Sequence, residues 1–260
     1  MGDLAALRDQ LHDLDRVLVA FSGGADSALL AWLAHDTLGP DRAAAVTAVS
    51  PSLAGFEHED CAALAREWQL RWIEVHTDEM TDAAYQRNDT DRCFHCKDAL
   101  MDAVVPLART EAATVVLGVN LDDLGEHRPG QRAASERGAV FPLVEAGFTK
   151  DDVRALSRQL GLRTWDKPAA ACLASRLPYG TPVTLSVLRE VEAAETGLRA
   201  LGFADLRVRH YGDLARIEVP IEELERVLAG RTEVVAVVRA AGYRYVTVDL
   251  EGLRSGNLNY

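Results

Sequence analysis

The stretch from Val17 to His35, VLVAFSGGADSALLAWLAH, constrains the fold more than any other part of the chain. Val17 to Phe21 is a short apolar run with β-branched residues, the pattern of a buried parallel strand. Ala28 to Ala34 is apolar and rich in helix formers. Between them lies Ser22-Gly23-Gly24-Ala25-Asp26-Ser27. Adjacent glycines permit positive φ and close approach by another group, and Asp26 and Ser27 are residue types that start helices. The N–H groups of a helix's first turn form an anion site. The segment therefore reads as strand, anion loop, helix; the plain alternative is an ordinary βα turn with a good N-cap. It is neither GxxxxGK[ST] nor GxGxxG.

Alternation continues downstream. After the first helix, to about residue 38, Ala43–Ser50 is strand-like, Phe56–Gln69 helical and Arg71–His76 a strand. Cys96–Arg109 has helical spacing, and Thr114–Val119 is a strand with Gly118 near its end. Alternating β and α implies a parallel sheet covered by helices on both faces. Ligands on such sheets sit at the carboxyl ends of strands, where Ser22, Ser50 and Asn120 fall. Leu121 to Gly147 reads as loop-rich, followed by a helix from Thr149 to Leu160 that Thr149 caps, with Asp151 and Asp152 near its start and Gly161 at its end. Residues 164–183, punctuated by prolines and a glycine, read as a linker with a functional role. Beyond them the order becomes α-β-β-α-α-β. The expected division is a sheet domain over residues 1–180 and a small α+β domain over 181–260.

With 260 residues the chain can bury one large core or two smaller ones. No run of about 18 apolar residues occurs, so no membrane span is expected. The N-terminus, MGDLAALRDQLHDLDR, reads as an acidic amphipathic helix and not as a signal peptide, making cytoplasm the expected location. Four cysteines in this setting point to metal or catalysis before disulfides. A net charge of -12 weighs against a grip on nucleic acid, although a local basic groove stays compatible with it.

Cys172 lies in AAACLASR, with Lys167 five residues before it and Arg176 four after. Cations near a thiol favour the nucleophilic thiolate; a small buried cysteine among alanines is the other reading. Cys93 and Cys96 form a CxxC, an incomplete zinc site, because structural zinc takes four ligands. With Cys172 they would make three thiolates, a set that leaves one iron of a 4Fe-4S cluster open to an outside ligand. A fortuitous pair at a helix start and a redox pair are the alternatives. Cys61, mid-helix, reads as core. Arg207 and Arg209, two apart on a strand, share a face and suit a phosphate; taken alone, a solvated strand face is the favoured reading. Glu195 reads as an exposed charge or a magnesium ligand.

Together SGGADS, RCFHCK, TWDKPAAACLASRLPYG, RVRHYGDLARIEV and LEGLRSGNLN resemble the LarE family over essentially the full length. SGGxDS alone resembles only the wider PP-loop ATP pyrophosphatases; the block around Cys172 is the more specific part. The resemblance implies an α/β fold, a Rossmann-like parallel sheet of PP-loop type with a smaller C-terminal α+β domain. It implies an ATP- and Mg2+-dependent sulfur transferase of nickel-pincer cofactor synthesis. Such an enzyme adenylates a carboxylate of pyridinium-3,5-biscarboxylic acid mononucleotide and replaces oxygen by sulfur. In one branch of the family the cysteine matching Cys172 gives up its sulfur and becomes dehydroalanine; in another, three cysteines hold a 4Fe-4S cluster carrying sulfide. Cys93 and Cys96 lean toward the cluster branch, and the same three-thiol layout resembles the PP-loop iron–sulfur tRNA thiolases, the alternative function. Ser22, Gly23, Gly24, Asp26 and Ser27 are expected at ATP, with Asp26 organising magnesium or the loop itself. Arg207, Arg209 and Arg176 are expected at the substrate's phosphate. The expected partners are a small-molecule nucleotide and further copies of the chain, a hexamer by resemblance.

Overall fold

The computed structural model describes residues 2–125, 129–168 and 171–254. Along the chain run α1 (Leu4–Leu14), β1 (Val17–Ala20), α2 (Ala25–Leu38), β2 (Ala43–Val49), α3 (Gly55–Glu67) and β3 (Trp72–His76). Next come α4 (Ala83–Arg87), α5 (Arg92–Glu111), β4 (Thr114–Leu117), α6 (Pro129–Glu136), α7 (Pro142–Glu145) and α8 (Lys150–Gln159). The rest is α9 (Leu185–Ala200), β5 (Arg207–Tyr211), β6 (Leu214–Glu218), α10 (Leu224–Ala229), α11 (Arg231–Ala240) and β7 (Tyr245–Val248). These form two compact units. One comprises Met1–Ser50, Glu57–Asp82 and Asp91–Ala170; the other comprises Pro51–Phe56, Ala83–Thr90 and Ala171–Tyr260.

The first unit holds a parallel sheet of order β3-β2-β1-β4. Val17 pairs with Ala43 on one side and Thr114 on the other, so β1 is interior. Its residues alternate between two cores: Val17 and Val19 pack with Leu29, Leu30 and Leu33 of α2, while Leu18 packs with Met101 and Val104 of α5. Two buried faces explain why β1 is apolar at every position. The chain leaves β1 for β2 on one side and reaches β4 on the other. The carboxyl end of β1 is thus the switch point, where open α/β sheets place their ligands.

Several boundaries differ from the sequence expectation for identifiable reasons. α5 begins at Arg92, ahead of Cys96, because its first turns are polar and its apolar spacing is legible only from Leu100 and Met101 onward. Residues 121–147, expected as loop, contain α6 and α7, each opening on a proline whose fixed φ suits a first helical position. Both are too short to show periodicity. α8 carries the expected cap as a full capping box between Thr149 and Asp152.

In the second unit β5 and β6 form an antiparallel hairpin and β7 adds parallel to β6. Val208, Ala215 and Ile217 face a core shared with Ala194, Leu198, Val234 and Val238 of the helices. This is the small α+β fold read from the sequence. Residues 255–260, which carry the end of LEGLRSGNLN, lie outside the described residues. Among the described residues no helix is long and apolar enough to cross a membrane.

Candidate active site

The loop after β1 is drawn tight by its own serines. Ser27 Oγ donates to the Gly24 carbonyl oxygen (3.1 Å), accepts from the Ser22 backbone N–H (3.2 Å) and meets Ser22 Oγ (3.2 Å). Gly23 has φ of +69°, and a Cβ there would lie 2.9 Å from Cys61 Sγ and 3.6 Å from Lys167 Nζ. Gly118, just past β4, is the second obligatory glycine: a Cβ would come within 2.7 Å of the Ser27 backbone nitrogen. Two backbones therefore touch at the start of α2, a contact no other residue type permits. Gly24 is the N-cap of α2, and its side-chain-free position leaves the first-turn N–H groups without a side-chain cap. Such groups form an anion-binding end.

Asp26 sits in that first turn. Its Oδ1 accepts from Asn120 Nδ2 (2.9 Å) and its Oδ2 from Lys150 Nζ (2.6 Å). Asn120 is buried and in turn accepts from the Asp122 and Asp123 N–H groups at 3.0 and 3.3 Å. Asp26 thus ties the first turn of α2 to Asn120 beyond β4 and to Lys150 at the start of α8.

Beneath the loop, Lys167 Nζ is held by Glu57 Oε2 and Asp60 Oδ2, both at 2.7 Å. Burial alone would lower the Lys167 pKa, but the hydrogen bonds to Asp60 and Glu57 outweigh it and the pKa is raised. Lys167 is a locked cation within the first unit. Cys61 is fully buried, and burial pushes its thiol up to about 12, the property of a core cysteine and not of a nucleophile.

In the second unit Cys172 is partly exposed and caps the short turn Leu173–Arg176 with extended backbone. Arg176 wraps back on it, donating through Nη1 to the carbonyl oxygens of Ala171 (2.6 Å) and Cys172 (3.2 Å). The same guanidinium grips Glu195 in a bidentate fork, Nε–Oε1 2.9 Å and Nη2–Oε2 3.1 Å. Glu195 is therefore buried, not an exposed charge, and it also accepts the Val208 N–H at 3.0 Å. Arg209 is likewise buried; its Nε donates to Glu218 Oε2 (3.0 Å) and its Nη1 to the Ser175 carbonyl oxygen (2.8 Å). Arg207 differs. Its Nη1 lies 3.4 Å from the Arg254 carbonyl oxygen, and no carboxylate among the described residues forms an ion pair with it. Burial, then the charges of Arg176 and Arg209, hold its pKa below the usual arginine value. Glu218 and Glu195 oppose that effect in part, and a half-buried guanidinium without an ion pair of its own is a place where an anion gains.

Cys93 and Cys96 lie in the first two turns of α5, three residues apart and so on one helix face. Gly130 of α6 packs there; a Cβ on it would meet the Cys93 carbonyl oxygen at 2.8 Å. His95 turns instead to Asp82 (2.9 Å) and Asp91 (3.5 Å). With Cys61 sealed in the core, the first unit supplies two thiols, and a 4Fe-4S cluster takes more. Among the described residues no three His, Cys, Asp or Glu side chains are arranged to hold a metal.

Sequence reasoning missed Lys150, the Glu57–Asp60 pair and Glu218. Only Glu218 left a signal: a two-residue turn at Gly212-Asp213 sets Arg207 opposite Glu218 and Arg209 opposite Arg216.

Residues 5–110, which include the glycine loop, match the NAD synthase family model. The chain is 46% identical to an uncharacterized protein of Synechocystis sp., over 98% of this chain and 96% of that one. It is 25% identical to an uncharacterized protein of Methanocaldococcus jannaschii, over 92% and 91%. It is 40% identical to the pyridinium-3,5-bisthiocarboxylic acid mononucleotide synthase of Lactiplantibacillus plantarum, over 98% of this chain and 93% of that enzyme. At that identity along nearly the whole of both chains, this chain belongs to the LarE family of PP-loop sulfur transferases.

Proposed function

We propose that the chain converts a carboxylate of pyridinium-3,5-biscarboxylic acid mononucleotide to a thiocarboxylate, using ATP, with Cys172 as the sulfur source. The observation that carries this is the full-length identity to the named synthase, together with the intact loop at the switch point of the sheet. ATP's phosphates meet the first turn of α2. A substrate carboxylate oxygen bonds to the α-phosphorus and pyrophosphate leaves, giving an acyl adenylate. The Cys172 thiolate attacks the acyl carbon, and AMP departs with the electron pair of the broken C–O bond. A base then removes the Cys172 Cα proton, the Cβ–S bond breaks, and sulfur leaves with the thiocarboxylate. Dehydroalanine remains at position 172. No oxidant or reductant enters.

Arg207 is the residue for the substrate's phosphate, with Arg176 and Arg209 fixed behind it by Glu195 and Glu218. Magnesium supplies charge neutralisation to transferred phosphates and takes one or two carboxylates with them. Asp26 and Glu195 already give both their oxygens to cations or amides of the chain, so no step is assigned through them. The second reading, a 4Fe-4S cluster on Cys93, Cys96 and Cys172, is favoured by one observation, the shared helix face of Cys93 and Cys96. Substrate-dependent pyrophosphate release tests the first half-reaction. Cys172→Ala retains it and forms no thiocarboxylate; thiocarboxylate from that variant contradicts the role of Cys172.

A further inference from the structure

Cys172 lies in irregular chain, followed by one short turn, Leu173–Arg176. The direction in which its thiol leaves the backbone is set by the two peptide planes that flank it, because only φ and ψ are free to vary. Both planes are gripped. In the plane before Cys172, the Ala171 carbonyl oxygen accepts from Arg176 Nη1 at 2.6 Å. In the plane after it, the Cys172 carbonyl oxygen accepts from the Ser175 N–H (2.9 Å) and Ser175 Oγ (2.7 Å), and the Leu173 N–H donates to the Ser52 carbonyl oxygen at 2.8 Å. Ser52 comes from distant sequence and is itself buried, its Oγ 2.6 Å from the hydroxyl of the fully buried Tyr85. Further along the segment stands Asn88, fully buried at φ of +58°. Its Nδ2 donates to the carbonyl oxygens of Pro178 (2.8 Å) and Thr181 (2.9 Å), and its own carbonyl oxygen accepts the Gly180 N–H at 3.0 Å. Asparagine combines tolerance of that left-handed backbone with two amide donors. Ser52, Tyr85 and Asn88 all belong to the second unit, as Cys172 does.

We infer that Tyr85 and Asn88 are positioning residues for sulfur transfer, holding the segment 172–181 so that the Cys172 sulfur reaches the acyl carbon ahead of water. The inference rests on the reading of Cys172 as the sulfur source given above. An acyl adenylate has two fates. In one, the Cys172 thiolate bonds to the acyl carbon, the C–O bond to AMP breaks, and AMP leaves with its electron pair. In the other, a water oxygen bonds to the same carbon, AMP leaves in the same way, the water's proton passes to solvent, and the starting carboxylate returns. The first fate needs a sulfur held in place, since a misplacement of about 1 Å costs on the order of a hundredfold. The second needs only solvent. Neither Tyr85 nor Asn88 touches the reacting atoms; Tyr85 acts through Ser52 and the Leu173 N–H, and Asn88 through the backbone of residues 178–181.

The test is the ratio of dehydroalanine formed at position 172 to pyrophosphate released, in single turnovers of the purified full chain with ATP, magnesium and the pyridinium dicarboxylate nucleotide. Tyr85→Phe keeps the buried ring and removes one hydrogen bond, which predicts a ratio lower by about fivefold. Asn88→Gly keeps the backbone conformation and removes two, which predicts a fall of more than about tenfold. In both variants pyrophosphate release stays within about twofold of the wild type, the excess appearing as AMP and recovered dicarboxylate. Damage to the fold alone lowers both products together and leaves the ratio where it was. Ser52→Ala, which removes the Tyr85 bond from its other side, replaces Tyr85→Phe should that variant not fold. An unchanged ratio in the folded variants overturns the inference, whether or not the overall rate has dropped. A wild-type chain that makes thiocarboxylate with no dehydroalanine at position 172 overturns the Cys172 reading itself, a different and separable failure.

Discussion

Gly23 and Gly118 are the residues on which the loop's shape depends most. Gly23 holds positive φ above the Cys61 sulfur, and Gly118 lets the end of β4 touch the backbone of α2. Alanine at either position forces a backbone shift at a cost of about 1–3 kcal/mol. Gly23→Ala and Gly118→Ala are expected to lower substrate-dependent pyrophosphate release at least about tenfold, since small misplacements in such sites are expensive; wild-type rates would contradict this. The buried Arg176–Glu195 pair gives a second prediction. Arg176→Met strands a buried carboxylate and is expected to cost about 3–5 kcal/mol in urea unfolding, whereas Arg207→Met leaves stability nearly unchanged and raises KM for the nucleotide substrate. At this scale the sequence showed the motifs but not their partners. SGGADS and the Arg207/Arg209 spacing were legible because residue type and period carry them. Lys150 and Glu57 were not, because their contacts with Asp26 and Lys167 join positions more than a hundred residues apart.

Elements position those residues. α8 aims Lys150 at the loop, and its capping box fixes where the helix starts. Thr149→Ala is expected to cost about 1 kcal/mol of stability by thermal or urea unfolding; an unchanged unfolding midpoint would contradict the cap. The central strands and α2 were readable because both have sustained apolar patterns. α6 and α7 were not, each being a few residues of polar or punctuated sequence whose shape comes from packing. α6 lies on α5 through Gly130, a contact visible only in three dimensions. The early start of α5 matters most chemically, because it places both cysteines of CxxC within the helix, on one face.

For the whole molecule, the residues to which roles are proposed fall in both units: the loop with Asp26 in the first, Cys172 and the arginines in the second. The alternation of elements announced both architectures, while the two short segments that join the second unit, Pro51–Phe56 and Ala83–Thr90, left no mark in composition. Stability depends on pH through the second unit's His210, which is buried beside Tyr243 (3.1 Å) and near Glu190 (4.0 Å). Burial lowers its pKa, against the opposing pull of Glu190. A lowered histidine pKa means that the unfolded chain binds the proton first, so this stability is full above about pH 6.5 and is lost as pH falls below it. His210→Gln is expected to flatten that decline in unfolding measured between pH 7 and 5.5; an unaltered slope would contradict it. The chemistry as a whole comes down to where the sulfur originates, which the intact mass of the protein after a single turnover with ATP and the pyridinium nucleotide reads out. A chain lighter by the elements of one hydrogen sulfide molecule, with dehydroalanine mapped to position 172, is the result expected. Thiocarboxylate formed while the protein's mass stays unchanged would contradict it.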